Sequence, residues 1–314
     1  MKKILLTLAL AAATLVCLAG RSMMSCHPLK NKAMKRSFLS VVALLALVPY
    51  LSAQRPDTLK LWPGGTPSPY HTDYRYEGKD YSEAMLVVFR APKPNGLAVV
   101  MCPGGGYMME AQEHEGTDLA GWFTARGITY CMLQYRLPDF RYTTAPLEDA
   151  QEAVRTVRAH AQEWGVRRVG VSGCSAGGHL ASTLATHYTA DSRPDFQILF
   201  YPVITMDPSY THRGSHDALL GRNPTREQEE LYSNEKQVTS DTPPAFIMAS
   251  SDDDLVPVRN SVNYYLALVD HGVSASLHFY PGGGHGWGFR DSFIYKQDWT
   301  SELDKWLREV AMDQ

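Results

Sequence analysis

The chain has 314 residues, of which 44% are hydrophobic and 20% charged. That balance suits an α/β domain able to bury a sizeable core, and it excludes a disordered, collagen-like or multi-span membrane chain. The first 53 residues hold seven of the 30 Lys and Arg and none of the 33 Asp and Glu, so the remainder carries a formal charge of −10, 23 against 33. An acidic body of this kind matches nucleic acid or anionic lipid poorly, and neutral or carbohydrate ligands fit better.

Two export-like segments open the chain in tandem. Lys2-Lys3 precede an apolar run from Ile4 to Ala19; Lys35-Arg36 precede Phe38 to Val48 and the small-residue ending Leu51-Ser52-Ala53. A basic start, a short apolar run and a small-x-small ending form the pattern of a cleaved signal peptide. The repetition points to Met34 as the translation start, with cleavage after Ala53 and a periplasmic or extracellular destination. Both runs are shorter than the ~20 apolar residues a membrane span needs, so no stable membrane insertion is expected. Beyond residue 53 only Cys102, Cys131 and Cys174 remain, which is no disulfide framework; buried free thiols are the expectation.

Residues 54–83, rich in Pro, Gly and Tyr, read as an irregular wrap with an edge strand. From there apolar runs at 84–89, 97–102, 128–133, 168–171, 196–200, 245–249 and 276–280 read as strands, several of them continuously apolar as in sheets covered on both faces. Segments 116–125, 147–164, 177–187, 258–270 and 299–310 read as helices, and Leu147, Ala150, Val154, Val157 and Ala161 form one helical stripe. The alternation predicts a doubly wound, mostly parallel sheet in a single catalytic domain, 54–314. Residues 205–243, with Pro208, Pro224 and Pro243, are too long for a plain connection and read as a partly helical insertion near the site.

Chemistry-bearing motifs fall at the ends of these strands. After 97–102 comes Pro103-Gly104-Gly105-Gly106-Tyr107, where a glycine run lets the Gly105 and Gly106 amides approach a substrate carbonyl as an oxyanion hole. After 168–171 comes Gly173-Cys174-Ser175-Ala176-Gly177, opening a helix. This is G-x-S-x-G in the strand–turn–helix context of a nucleophile elbow, in which small residues flank the serine because the turn is too tight for side chains. Ser175 is the expected nucleophile and the Ala176 N–H a third oxyanion donor. After 245–249 comes Asp252-Asp253-Asp254, a source of the acid expected between serine and histidine; spacing does not choose among the three. After 276–280 comes Gly282-Gly283-Gly284-His285-Gly286-Trp287, making His285 the expected general base, ahead of its nearest competitor His179. Tyr107 and Trp287 are candidate sugar contacts, with packing roles about equally fitting.

Together, Leu61-Trp62-Pro63, Pro103–Tyr107, Glu115-Gly116, Tyr135-Arg136-Leu137, Gly173–Ala181, Ser251–Ser261 and Gly283–Gly286 resemble the bacterial carbohydrate acetylesterases and feruloyl-esterase-like enzymes of the α/β-hydrolase superfamily, often labelled acetyl xylan esterase. The resemblance spans roughly residues 59–311. It implies the α/β-hydrolase fold and an acetylated carbohydrate substrate. The family's acid lies four residues before the proline of a Val-Pro pair, which implies Asp253, with Asp252 second because the extra Asp254 departs from the pattern. Pro103, where the family often has histidine, is the other departure.

No metal or organic cofactor is expected. His114-Glu115-Gly116-Thr117-Asp118 lacks the second histidine of H-E-x-x-H, and Gly104–Gly106 is an incomplete dinucleotide fingerprint. The reading is therefore a serine esterase removing acetyl groups from plant polysaccharide. A feruloyl or other short-chain carboxylesterase is the alternative, and a non-catalytic hydrolase-fold binding protein a more distant one.

Overall fold

A computed structural model describes residues 56–70 and 75–311. Its strands are β1 (Asp57–Lys60), β2 (Arg75–Tyr76), β3 (Lys79–Asp80), β4 (Met85–Phe89), β5 (Leu97–Cys102), β6 (Thr129–Gln134), β7 (Arg168–Cys174), β8 (Gln197–Phe200), β9 (Ala245–Ser250) and β10 (Ala275–Tyr280). Eight of them form one sheet in the order β1-β4-β6-β5-β7-β8-β9-β10, and β2 and β3 pair separately. From β6 to β10 the pairing is parallel, whereas β1 and β4 add an antiparallel edge. The expected export segments, with Met34 and Ala53, lie outside the described residues.

The seven expected strands are present as β4 to β10. β7 runs past its apolar stretch to Cys174, because β5 and β8 on either side give Ser172 and Gly173 ladder partners. That extension delivers Ser175 to the carboxyl edge of the sheet. The connections after β5 and β7 leave in opposite directions, one to β6 and the other to β8, which makes the crevice between them a switch point of the kind where α/β sheets bind ligands.

Alternation along the strands builds two apolar layers. Ala98, Val100 and Cys102 of β5 join one cluster, and Leu97, Val99 and Met101 join the other. The first layer is covered by α2 (Ala145–Ala159), α4 (Ser175–Thr186) and α7 (Arg259–Asp270), and the second by α1 (Ala120–Thr124) and α8 (Lys296–Trp306). Ala150, Val154 and Val157 of the expected stripe are fully buried. The single helix expected at 147–164 instead stops at Ala159, and α3 (Ala161–Trp164) follows. At the break, His160 Nδ1 bonds the Thr156 carbonyl, competing with the backbone for that acceptor. Residues 205–243 contain α5 (Arg213–Leu220) and α6 (Arg226–Leu231), the latter closed by a Thr225–Gln228 capping box. Cys102, Cys131 and Cys174 are buried free thiols.

A charged pair lies beneath the sheet edge. Arg136 and Asp149 are both fully buried; Asp149 accepts hydrogen bonds from the Arg136 amide at 2.7 Å, from its guanidinium at 2.9 Å and from Trp62 Nε1 at 2.6 Å. The Leu61-Trp62-Pro63 and Tyr135-Arg136 motifs thus meet on one carboxylate that belongs to α2.

Glu110 is a second buried carboxyl, 1% exposed, accepting from the Tyr135 amide and Gln112 Nε2, each at 2.7 Å. Burial pushes it up from 4.5 to about 8. Between those values the folded protein keeps Glu110 protonated while the unfolded chain releases the proton, so Glu110's contribution is fully present below pH 4.5 and is lost as pH rises through 8. Glu110→Gln should remove a slope of up to ~1.4 kcal/mol per pH unit within that window. Chemical denaturation from pH 5 to 8 checks this; parallel stability profiles for variant and parent would refute it.

Candidate active site

Ser175 begins α4 immediately after β7 with φ +53°, a left-handed conformation costly for a residue with a Cβ. The surroundings force it. A Cβ at Gly173 would lie 2.0 Å from the Gly177 carbonyl oxygen, and one at Gly177 would lie 2.0 Å from the Cys102 carbonyl oxygen. Glycine is therefore obligatory on both sides of the turn, and Ser175, 5% exposed, projects from it.

His285 is carried on the loop after β10. Its Nε2 lies 2.8 Å from Ser175 Oγ and its Nδ1 lies 2.7 Å from Asp253 Oδ2. A carboxylate only accepts, so Nδ1 carries the proton and Nε2 is free to accept from the serine hydroxyl. Asp253 is fixed in turn, its Oδ1 accepting from the Leu255 and Val256 amides at 3.0 and 2.9 Å. Asp252 instead accepts from the amides of Gly283 and Gly284 at 3.2 and 2.8 Å, holding the loop that presents His285. The structure thus chooses Asp253 among the three aspartates as the partner of His285. His179, the competitor, is buried in α4, donating from Nε2 to the Tyr232 carbonyl and accepting from the Tyr107 hydroxyl, each at 2.8 Å. Burial pushes its ring down to about 4.

The glycine loop after β5 packs directly on this turn, since a Cβ at Gly104 would lie 2.9 Å from Ser175 Cβ. Gly104 donates its amide to Glu115 Oε2 at 2.9 Å, which fixes the loop. The Gly105 and Gly106 amides have no acceptor among the described residues, and Gly105 and Gly106 have φ +134° and +66°. Ala176 stands in the first turn of α4, where amides have no intrahelical acceptor.

Both candidate sugar contacts are largely buried side chains. Trp287 is 4% exposed, stacks on Phe293 at 4.1 Å between ring centroids and donates Nε1 to Ser250 Oγ. Tyr201 packs edge-on against the same ring at 4.7 Å. Tyr107 is 2% exposed, with its hydroxyl committed to His179.

Three further residues adjoin the site, and two of them, Tyr201 and His212, carry no motif of their own. Tyr201 follows β8 with φ +35°, packs edge-on against His285 at 4.8 Å, donates to Glu115 Oε1 and accepts from the Gly288 amide. Its only signal in the sequence is its place at a strand's carboxyl end, where α/β sheets build sites. Glu115 joins the Gly104 loop to Tyr201. His212, at the N-cap of α5, accepts from the Ser215 amide through Nδ1; its Nε2 has no partner among the described residues. Among the described residues, no group of three His, Cys, Asp or Glu side chains could hold a metal ion, and no helix is long and apolar enough to cross a membrane.

A serine in a strand–turn–helix elbow, a histidine and an aspartate stand together at the carboxyl ends of β7, β10 and β9, the arrangement characteristic of the α/β-hydrolase fold. The profile of the alpha/beta hydrolase fold matches residues 99–289, and the chain belongs to that family. An acetylxylan esterase of Xylanibacter ruminicola is 40% identical over 237 residues, 74% of this chain and 49% of the relative. Endo-1,4-beta-xylanase B of Butyrivibrio fibrisolvens is 38% identical over 205 residues, 60% of this chain and 32% of the relative. The chain therefore spans about half of the first relative's length and a third of the second's. Among solved structures, an acetyl ester-xyloside bifunctional hydrolase from Caldicellulosiruptor lactoaceticus aligns with TM-score 0.74 at 34% identity, over 83% of this chain and 99% of that one.

Proposed function

We propose that this protein is a serine carboxylic ester hydrolase that removes acetyl groups from xylan-type polysaccharide or its oligomers, with Ser175, His285 and Asp253 as its catalytic residues. The observation that carries the chemistry is the unbroken chain of short contacts from Ser175 Oγ through His285 to Asp253. His285 takes the serine proton as Oγ attacks the ester carbonyl, and the imidazolium that forms is stabilised by Asp253. The Gly105, Gly106 and Ala176 amides receive the oxyanion. The tetrahedral intermediate then expels the sugar alkoxide, which takes the proton from His285, and water repeats the sequence on the acetyl-enzyme to release acetate.

The substrate part of the reading is supported by relatives named for acetylxylan and xylan and by the acidic charge of residues 54–314. Export is supported by the basic, apolar and small-residue pattern that ends at Ala53. Initial rates on acetylated xylan, 4-nitrophenyl acetate and methyl ferulate test it. Acetate release from xylan with methyl ferulate turned over at least tenfold more slowly is the expected result. A preference for ferulate would replace the acetyl reading by an aryl esterase, and turnover of none of the three would favour a binding protein.

A further inference from the structure

A cleft of about 690 Å³ begins at Tyr107, the residue after Gly106, and is walled on one side by Leu137, Asp139 and Phe140 and on the other by α5 and its continuation to Arg222. Its inner end is continuous with the oxyanion loop. A Cβ at Gly106 would lie 3.2 Å from Met108 Cε and 3.9 Å from His212 Cε1, and one at Gly214, in the cleft wall, would lie 3.7 and 3.1 Å from the same atoms. Met108 and His212 therefore lie between Gly106 and the cleft wall at Gly214.

The outer wall is unusual. Asp139 and Phe140 are consecutive non-glycine residues with φ +44° and +43°, a combination that side chains disfavour and that persists only where the surroundings impose it. The Phe140 amide donates to the Ala218 carbonyl of α5 at 2.9 Å, and the Tyr142 amide donates to the Pro138 carbonyl at 2.8 Å. This strain does not bury the ring: Phe140 is 57% exposed, with the Arg141 guanidinium 5.7 Å from its centroid, and Met108, also in the cleft lining, is 45% exposed. At the far end, the Arg222 guanidinium has no partner among the described residues.

We propose that this cleft is the leaving-group subsite: it holds the sugar rings of a neutral glycan on the alcohol side of the scissile ester, with Phe140 as the stacking face and Arg222 as a hydroxyl donor. The assignment rests on the acetyl-ester reading above. An acetyl group needs only a small part of this volume, so the extended apolar wall with polar groups at its ends is matched to the alcohol, as ligand clefts combine apolar area with a few placed polar groups.

The test compares kcat/KM on acetylated xylo-oligosaccharides with that on 4-nitrophenyl acetate, whose leaving group is small, in the parent protein, Phe140→Gly and Ala218→Phe. Glycine keeps the left-handed backbone without strain, so loss of the ring is separated from misfolding, whereas the Ala218 change fills the cleft. In both variants the oligosaccharide-to-4-nitrophenyl ratio should fall at least tenfold, mainly through KM. Titration calorimetry of Ser175→Ala with unacetylated xylohexaose should show binding that weakens at least tenfold when Phe140→Gly is added. An unchanged ratio with the parent active on acetylated oligosaccharide overturns the subsite alone. A parent active only on 4-nitrophenyl acetate, with no xylohexaose bound, overturns the substrate reading and the subsite with it. A loss confined to methyl ferulate turnover makes the cleft an acyl pocket and also overturns the assignment.

Discussion

Replacing Ser175 with alanine is expected to lower kcat for ester hydrolysis by on the order of 10⁴- to 10⁶-fold, with the fold retained. The size follows from covalent catalysis. Without Oγ the reaction falls back on direct attack by water, helped only by whatever the oxyanion amides and substrate binding supply. Because Ser175 Oγ, His285 and Asp253 form one chain of contacts at 2.8 and 2.7 Å, their losses should not add. Ser175→Ala/His285→Ala should be about as slow as either single variant, and Asp253→Asn should lose about 10⁴-fold by favouring the wrong imidazole tautomer. Asp252→Asn should lose far less, since its carboxylate touches the loop backbone and not the ring. Turnover of 4-nitrophenyl acetate and labelling by a fluorophosphonate probe are the measurements. Activity or labelling that survives Ser175→Ala would remove Ser175 from the mechanism.

The largest expected effect on stability is at Asp149. Asp149→Ala leaves the Arg136 guanidinium fully buried with only Glu148 Oε2, at 3.0 Å, as a charged partner, and leaves Trp62 Nε1 and the Arg136 amide without their acceptor. Breaking a buried pair in this way costs about 3–5 kcal/mol, because an uncompensated charge stays behind. Arg136 Nη1 already lacks a partner, so the site has no spare acceptor to offer. Replacing both members with apolar residues should cost much less, since the penalty lies in the orphaned charge and not in the lost attraction. Guanidinium denaturation of the single and double variants checks both statements. A loss under 1 kcal/mol for Asp149→Ala would mean that water reaches Arg136 and would remove the pair from the account of stability.

Much of this molecule is legible along the chain because its signals are local. Seven apolar runs mark β4 to β10, since strands covered on both faces need no polar alternation. Gly173 and Gly177 announce the elbow within five residues because the turn itself excludes side chains. His285 stands out by the same logic, in a glycine loop at a strand end.

The alternating α/β order, the nucleophile turn and the shortlist of acid and base are thus all written locally in the chain. Which members of that shortlist meet is settled by the fold. His285 finds Ser175 and Asp253 across 110 and 32 residues, and only the assembled sheet edge shows that Asp253 reaches the ring while its neighbour Asp252 reaches the loop. Packing also turned Trp287 inward, because Phe293 and Tyr201 supply a closer partner than solvent does. Glu115 became the brace of the Gly104 loop, and Arg136 and Trp62 became the partners of Asp149. A local motif states which backbone shape a segment must adopt; burial and hydrogen-bond partners depend on what distant segments bring alongside, and that is written in the packing.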